Sequence, residues 1–173
     1  MRIGLDIDYV LINFDEGVYD YYDKQYVEKV ARDTFIDEIY EELRHNKEFY
    51  LKLKPRINPI YIDFPFECYI TARDINPYIT YMNLQQHGFP NKPIFNVGVN
   101  GIEANSKADI INELKLDYFI DDSIKHFNEI NNETDCVCFL MDRLNNKHID
   151  TPLRINHISE FYNQCKYYEQ RRI

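Results

Sequence analysis

The 173 residues of this chain, 45% of them hydrophobic and 28% charged, suffice for one globular domain with a small inserted subdomain. No stretch approaches the roughly 18 consecutive apolar residues of a membrane-spanning helix, and Asp6 interrupts the N-terminal segment where a secretory signal would be apolar, so we expect a cytoplasmic protein without a membrane partner. A formal net charge of −9 argues against polymeric nucleic acid as a partner, because binding to a phosphate backbone depends on basic side chains.

The first third of the chain predicts a strand followed by a helical insertion. Apolar and polar residues alternate from Arg2 to Asp8, which indicates a strand that ends in two acids. From about residue 15 to residue 53, apolar residues recur at helical spacing, with charges on the other faces. The clearest part of this stripe is Val18, Tyr22, Tyr26 and Val30. Lys54-Pro55 then ends any helix.

The rest of the chain predicts alternating strands and helices. The predicted strands are residues 67–71, 93–97, 117–121 and 136–141, and the predicted helices are residues 76–87, 106–114, 124–130 and 157–168. Gly88 supplies a C-terminal stop for one helix, and Ser106 with Asp109 forms a capping box for the next. This alternation favours an α/β fold, with a Rossmann-like parallel sheet flanked by helices. Residues 15–59 are too long for a simple crossover, so we expect a helical cap inserted into a core of residues 1–14 and 60–173.

The cysteines and histidines do not indicate a metal site. The four cysteines include no CxxC pair, so buried thiols are favoured over a zinc site: Cys68, Cys136, Cys138 and Cys165. The five histidines are scattered without the spacing of metal ligands, and we expect surface or capping roles for them: His45, His87, His126, His148 and His157.

Residues that could carry chemistry fall at the predicted strand ends. They are Asp6, Asp8, Thr71, Asp121 and Asp122. Taken singly, an Asp in such a place is a turn former or a helix N-cap. Open α/β sheets, however, bring the carboxyl ends of their strands to one edge. Clustered carboxylates would repel one another there unless a hard cation balanced them, so the joint placement predicts a magnesium site.

Lys107 stands at the first turn of a predicted helix. The positive end of the helix dipole disfavours a cation there by about 0.3–1 kcal/mol. A surface lysine is tolerable at that cost, but a lysine directed at an anion in the cleft explains the placement better. A Gly-containing loop at residues 98–101 precedes this helix and lacks the dinucleotide and P-loop patterns.

Together these segments resemble the haloacid-dehalogenase-like hydrolases. That superfamily carries Asp-x-Asp-x-Thr/Val-Leu at its first strand, then a Ser or Thr ending the second, a Lys near a helix start, and an acidic pair after an apolar strand. The four matching segments follow the same order and cover the chain from residue 3 to about residue 141: Asp6-Ile7-Asp8-Tyr9-Val10-Leu11, Tyr69-Ile70-Thr71-Ala72-Arg73, Lys107, and Tyr118-Phe119-Ile120-Asp121-Asp122-Ser123. The short cap and the Ile-Thr-Ala-Arg string further resemble the 5'(3')-deoxyribonucleotidase branch.

The resemblance implies a phosphatase that works through an aspartyl-phosphate. By this likeness Asp6 is the nucleophile and Asp8 the general acid and base. Mg²⁺ is held by Asp6, the Asp8 backbone carbonyl and Asp121, with Asp122 in support. The residues implied to bind the phosphoryl group are Thr71, the backbone of Ala72, Arg73 and Lys107. A nucleoside monophosphate is the substrate that the deoxyribonucleotidase likeness suggests.

Tyr9 departs from the pattern, since many members have Gly after the second acid. Gly permits backbone conformations that a bulky residue reaches with difficulty, so one alternative is a non-catalytic module that binds nucleotide or metal. A second alternative is a phosphatase of nucleic-acid 3'-ends, which the basic patch of Lys52, Lys54 and Arg56 could serve; those residues are otherwise a solvated cap edge.

The sequence also leaves the recognition of the leaving group open. Aromatic residues of the cap could stack on a base, but their spacing favours core packing: Phe14, Tyr19 and Tyr22. The oligomeric state is open as well.

Overall fold

A computed structural model describes residues 1–22, 42–97 and 106–171 of the chain. The strands of this part are β1 (Gly4–Leu5), β2 (Cys68–Thr71), β3 (Ile94–Asn96), β4 (Tyr118–Asp121), β5 (Val137–Met141) and β6 (Arg154–Ile155). Its helices are α1 (Phe14–Tyr21), α2 (Lys47–Lys52), α3 (Pro77–Gln86), α4 (Lys107–Leu114), α5 (Ile124–Glu133) and α6 (Ile158–Glu169). Two 3₁₀ turns lie at Pro59–Tyr61 and Leu144–Asn146.

The strands form two parallel three-stranded sheets, ordered β1-β2-β3 and β4-β5-β6. Ile3 pairs in parallel with Tyr118, and the amide of Asp6 donates to the carbonyl of Ile120 at 3.1 Å. These contacts join β1 to β4, so the described strands lie side by side in the order β3-β2-β1-β4-β5-β6. The chain direction across the sheet reverses between β1 and β4, where doubly wound sheets form their binding crevices. The predicted α/β class with parallel strands is confirmed.

Burial explains why these segments form a central sheet. All four residues of β2 and all four of β4 are buried, as expected for parallel strands covered by helices on both faces. The prediction that the cysteines are buried thiols is confirmed, because all four are free and lie in the interior. Burial raises the pKa of the Cys68 thiol to about 12, which keeps it protonated and unreactive.

The predicted helix ends agree with the structure. Ser106 and Asp109 form the capping box of α4. Ser123 is the N-cap of α5, where it accepts a hydrogen bond from the amide of His126. Gly88 follows α3 with a φ of 81°, a left-handed conformation that glycine adopts without a Cβ penalty. No helix in the described parts of the chain is long and apolar enough to cross a membrane.

Two predictions about the elements need correction. The 136–141 strand is not the last one, because β6 follows it and pairs with β5. β1 is shorter than the predicted strand, since the chain turns after Ile7: the amides of Leu11 and Ile12 both donate to the Ile7 carbonyl. Of the predicted helical stretch at 15–53, the structure describes α1, which ends at Tyr21, and α2, which begins at Lys47; residues 23–41 lie outside the described parts, as does the predicted Gly-containing loop at residues 98–101.

The described part of the predicted cap packs directly against the sheet domain. Phe49, Tyr50 and Leu53 belong to the same hydrophobic cluster as Leu5 of β1. Asn83 of α3 donates to the Leu53 carbonyl at 2.9 Å, which fastens the end of α2 to the core. These contacts place α2 against the core of the sheet domain.

Candidate active site

An open cavity of about 1200 Å³ lies at the carboxyl ends of β1, β2 and β4. Its walls come from the loops after these strands, from the first turns of α1, α4 and α5, and from the loop after β5. Every site residue predicted from the sequence lines it: Asp6, Asp8, Thr71, Ala72, Arg73, Lys107, Asp121 and Asp122. The fold therefore brings together residues that are up to 116 positions apart in the chain (6 to 122).

Asp6, Asp121 and Asp122 form a buried cluster at the bottom of this cavity. Each can offer one carboxylate oxygen, and these oxygens lie within 4.8 Å of one another. Asp6 follows β1, Asp121 ends β4, and the contact between these two strands explains the convergence. Asp122 is not the cap of α5, because Ser123 takes that place. Three hard oxygen donors in this arrangement fit the ligand preference of Mg²⁺.

Lys107 lies between two of these carboxylates. Its ammonium donates to Asp6 Oδ1 and to Asp121 Oδ2, both at 2.7 Å, and the residue is only 2% exposed. The start of α4 therefore directs Lys107 into the cavity rather than toward solvent. Among the described residues, Asp6 Oδ2 and both carboxylate oxygens of Asp122 have no hydrogen-bond donor, so they remain available to a cation.

Burial sets the protonation of the cluster. It raises the pKa of Asp6 to about 7 against the opposing effect of Lys107, and the charge of Asp121 adds to the rise. It raises the pKa of Asp122 to about 8, reinforced by Asp6 and Asp121. Burial acts in the same sense on Asp121, but Lys107 and His126 outweigh it and hold the pKa of Asp121 below its usual range. Without a further cation, the cluster is therefore partly protonated at neutral pH.

Asp8 lies nearer to solvent than the cluster and is held by an arginine. Its side chain is 18% exposed, whereas that of Arg73 is 1% exposed. Arg73 Nε donates to Asp8 Oδ2 and Arg73 Nη2 to Asp8 Oδ1, each at 2.7 Å. Burial disfavours the charge of Arg73, but Asp8 outweighs this effect and the pKa of Arg73 is raised. Arg73 therefore contacts an acid of the site directly.

Thr71 and Ala72 complete the floor of the cavity. Thr71 ends β2 as predicted and is 1% exposed; its hydroxyl oxygen accepts a hydrogen bond from the amide of Arg73 at 3.3 Å. Ala72 is exposed at the cavity wall. Both residues stand at the carboxyl end of a strand adjacent to β1, beside Asp6 and Asp8.

Tyr9 adopts a left-handed backbone conformation. Its φ is 63°, the left-handed region in which glycine is favoured. Its hydroxyl donates to Asp15 Oδ1 at 2.8 Å, and the Arg143 guanidinium lies 4.3 Å from its ring centroid. Arg56 donates to its carbonyl at 2.9 Å. The side chain thus forms a wall of the cavity and does not prevent the backbone turn next to Asp8.

His126 was not assigned to the site from the sequence, yet it lines the cavity. Its Nδ1 lies 3.4 Å from Asp121 Oδ2 without the alignment of a hydrogen bond, so the contact is electrostatic. The sequence signal that could have identified His126 is its place in the first turn of the helix that follows the acidic pair.

The capping role predicted for His157 is confirmed, since its ring nitrogen accepts a hydrogen bond from the Ser159 amide.

The basic residues Lys52, Lys54 and Arg56, considered from the sequence as one patch, do not form one continuous exposed surface. Lys54 is exposed and pairs with Asp20 at 2.7 Å. Arg56 instead turns inward to the carbonyls of Tyr9 and Asp142, so its assignment to a solvated edge is wrong. Burial correspondingly lowers the pKa of Arg56.

The aromatic residues of α1 have separate environments. Phe14 is buried in the core, as the favoured interpretation required, and it also lines the cavity. Tyr22 packs against the same cluster. Tyr19 is 39% exposed, so core packing is wrong for this residue.

The cavity is close to electrically balanced in a protein of net charge −9. Its lining contains seven of the 20 Lys and Arg residues and seven of the 29 acidic residues. The cations are Arg44, Arg56, Arg73, Lys107, Lys125, Arg143 and Lys147, and the acids are Asp6, Asp8, Asp15, Asp74, Asp121, Asp122 and Asp142. One bound divalent cation would make the lining net positive and suited to a small anion.

No model of a known protein family matches this chain, and a search of curated proteins finds no significant match.

We expect the stability of the metal-free protein to fall as the pH rises from about 4 to about 8. The folded-state pKa values of Asp6 and Asp122, about 7 and about 8, exceed the ordinary 3.8. The folded protein therefore binds more protons than the unfolded chain, and each carboxyl costs about 1.4 kcal/mol per pH unit between its two pKa values. Because Mg²⁺ requires ionised ligands, the Mg²⁺-induced rise in Tm should increase over the same range. Thermal melts in chelator and in Mg²⁺ measure both effects.

Asp122→Asn provides the control for this experiment. It removes one of the two titrating carboxyls, so the pH dependence in chelator should weaken. A Mg²⁺-induced shift of equal size at acidic and alkaline pH would contradict a role for these carboxylates as ligands.

Proposed function

We propose that this protein is a Mg²⁺-dependent phosphomonoester hydrolase of the haloacid-dehalogenase-like type. The observation that carries the proposal is the buried cluster of Asp6, Asp121 and Asp122 around Lys107, with the more exposed Asp8 beside it. Three buried carboxylates with one buried ammonium form a costly arrangement that a divalent cation would stabilise. The order of the strands supports a Rossmann-like core, for which we propose residues 15–59 as the cap.

The residues present fit a magnesium ion. Asp6, Asp121 and Asp122 would hold it, together with the backbone carbonyl of Asp8. When bound, Mg²⁺ neutralises charge on the transferring phosphoryl oxygens. Its positive charge would also lower the pKa values of Asp6 and Asp122, so that both are ionised at neutral pH.

In the proposed reaction the Asp6 carboxylate attacks phosphorus and forms an acyl-phosphate bond. The bond from phosphorus to the leaving oxygen breaks, and Asp8 gives that oxygen a proton. A water molecule then attacks the phosphoryl group while Asp8 accepts its proton. Phosphate leaves, and the Asp6 carboxylate is regenerated.

The cations of the cavity would orient the phosphoryl group during both steps. Lys107 and the end of β2, through Thr71 and Ala72, supply donors close to the two catalytic acids. Preorganised donors of this kind stabilise charge in a phosphoryl-transfer transition state. A small phosphorylated molecule is the proposed substrate, and a nucleoside monophosphate is the class that the sequence resemblance favours.

Phosphate release from a substrate panel tests the proposal. The panel contains ribo- and deoxynucleoside monophosphates, sugar phosphates and 3'-phosphorylated oligonucleotides. We expect release with one class, its loss in chelator and its return with Mg²⁺. Greater activity on oligonucleotides than on mononucleotides would favour a nucleic-acid end as the substrate. If no substrate of the panel releases phosphate although Mg²⁺ still binds, the result would contradict hydrolase activity and favour a non-catalytic binding module.

A further inference from the structure

Asp8 and Arg73 form an ion pair beside the carboxylate cluster. Two N–H groups of one guanidinium contact the two oxygens of one carboxylate, each at 2.7 Å. This two-point contact determines both the position and the rotation of the carboxylate plane. It connects the loop after β1 with the loop after β2, across 65 residues of the chain.

The surroundings of Arg73 keep its guanidinium in one orientation. The residue is 3% exposed, and its Cζ lies 5.0 Å from the ring centroid of Tyr50. Nη1 is buried without a hydrogen-bond acceptor among the described residues. A charged group that is buried with an unused donor is not optimised for stability alone. Both side-chain hydrogen bonds that Arg73 does make, from Nε and Nη2, go to Asp8.

We propose that Arg73 is a positioning residue that directs the Asp8 carboxyl toward the leaving oxygen of the substrate. This inference rests on the proposed phosphatase function. Asp8 has the most exposed side chain among the four acids at the strand ends, so it is the one that can reach a leaving group above the cluster. Arg73 acts on the reaction through Asp8.

This role predicts a dependence on the leaving group. An alkoxide needs a proton as its bond to phosphorus breaks, whereas an activated aryl oxide leaves without one. Misplacing the acid therefore slows the first reaction much more than the second. Binding of the phosphoryl group by Arg73 would affect both substrates equally, and so would a purely structural role.

Arg73→Lys is the decisive variant, because lysine keeps the charge but makes a single-point contact. We expect kcat/KM for an alkyl phosphate, such as glycerol phosphate, to fall about 10²-fold, and that for para-nitrophenyl phosphate to fall less than about 3-fold. The ratio kcat/KM is used because it reports the step in which the leaving group departs. Equal losses with the two substrates would overturn the proposal.

Arg44→Lys is the matched control. Arg44 lines the same cavity, and both its Nε and its Nη2 contact Oδ2 of Asp74. Asp74 has no part in the proposed reaction. The same substitution at this ion pair should therefore change the two kcat/KM values by a common factor.

A double variant separates action through Asp8 from independent action. In an Asp8→Asn background, Arg73→Lys should cause no further loss with the alkyl phosphate, because the group that it positions is already disabled. Losses that multiply would contradict the proposal. If thermal melting shows that Arg73→Lys does not fold, Arg73→Gln, with a smaller neutral side chain, replaces it. Its kcat/KM values for the alkyl phosphate and for para-nitrophenyl phosphate are then compared in the same way. Absence of hydrolysis of these two substrates and of every substrate of the panel by the unmodified protein would instead refute the proposed function itself.

Discussion

We expect Asp6→Asn to lower phosphate release at least about 10³-fold while the protein stays folded. Asparagine has the shape of the aspartate, and its carbonyl oxygen can still accept the hydrogen bond from Lys107. Its amide cannot serve as the nucleophile. Because the substitution also removes a buried carboxyl whose pKa is raised to about 7, the metal-free variant should lose less stability than the unmodified protein as the pH rises.

The measurement is phosphate release in Mg²⁺ with the best substrate of the panel, together with a thermal melt of the variant. Acid-quenched unmodified protein should also retain phosphate that hydroxylamine releases, as an acyl-phosphate does, and the variant should retain none. Asp63→Asn, at an exposed acid away from the cavity, is the matched control and should keep full activity. Full activity of Asp6→Asn would show that the covalent mechanism is wrong.

The convergence of the acids could be predicted because strand ends can be identified from the sequence. Parallel strands with both faces buried appear as short apolar runs, and β4 is one of them. Asp6 and Asp121 then meet because their strands are neighbours in the sheet. Tyr9 stands where many members of the superfamily that the sequence resembles have Gly, and its left-handed backbone is a conformation that glycine adopts readily.

Other features depend on tertiary contacts that local patterns do not encode. Asp8 and Arg73 pair across 65 residues, and nothing in either segment identifies the partner of the other. Arg56 turns inward because backbone carbonyls of distant loops accept its hydrogen bonds. β6 has only two residues, Arg154 and Ile155, which is too short for an alternating pattern.

We expect Lys107→Met to cost the metal-free protein about 3–5 kcal/mol at alkaline pH, the usual effect of removing one partner of a buried ion pair. Lys107 bonds to both Asp6 and Asp121, and Met preserves the apolar stem without the charge. In the unmodified protein, Lys107 holds the pKa of Asp121 below its ordinary value despite burial. Without Lys107, we expect burial to raise the folded-state pKa values of the clustered carboxyls above that of the unfolded chain, with only His126 opposing it at Asp121.

The sign of the pH dependence follows from this change. Groups whose pKa is raised by folding favour the folded state at low pH and destabilise it as the pH rises through the folded-state values. The loss caused by Lys107→Met should therefore grow between pH 4 and pH 9, by roughly 1.4 kcal/mol per pH unit for each carboxyl that is ionised in the unmodified protein but still protonated in the folded variant. Urea unfolding in chelator at several pH values measures it. Lys47→Met, at an exposed lysine of α2, should show no such dependence.

The effect of Mg²⁺ on the stability of Lys107→Met tests whether the loss arises at the carboxylate cluster. Because Mg²⁺ supplies positive charge to the same carboxylates, it should restore more stability to Lys107→Met than to the unmodified protein at alkaline pH. Lys107→Arg, which keeps a cation at the start of α4, should lose less than Lys107→Met in chelator. A loss from Lys107→Met that is equal at all pH values would mean that Lys107 acts through the packing of its stem rather than through its charge.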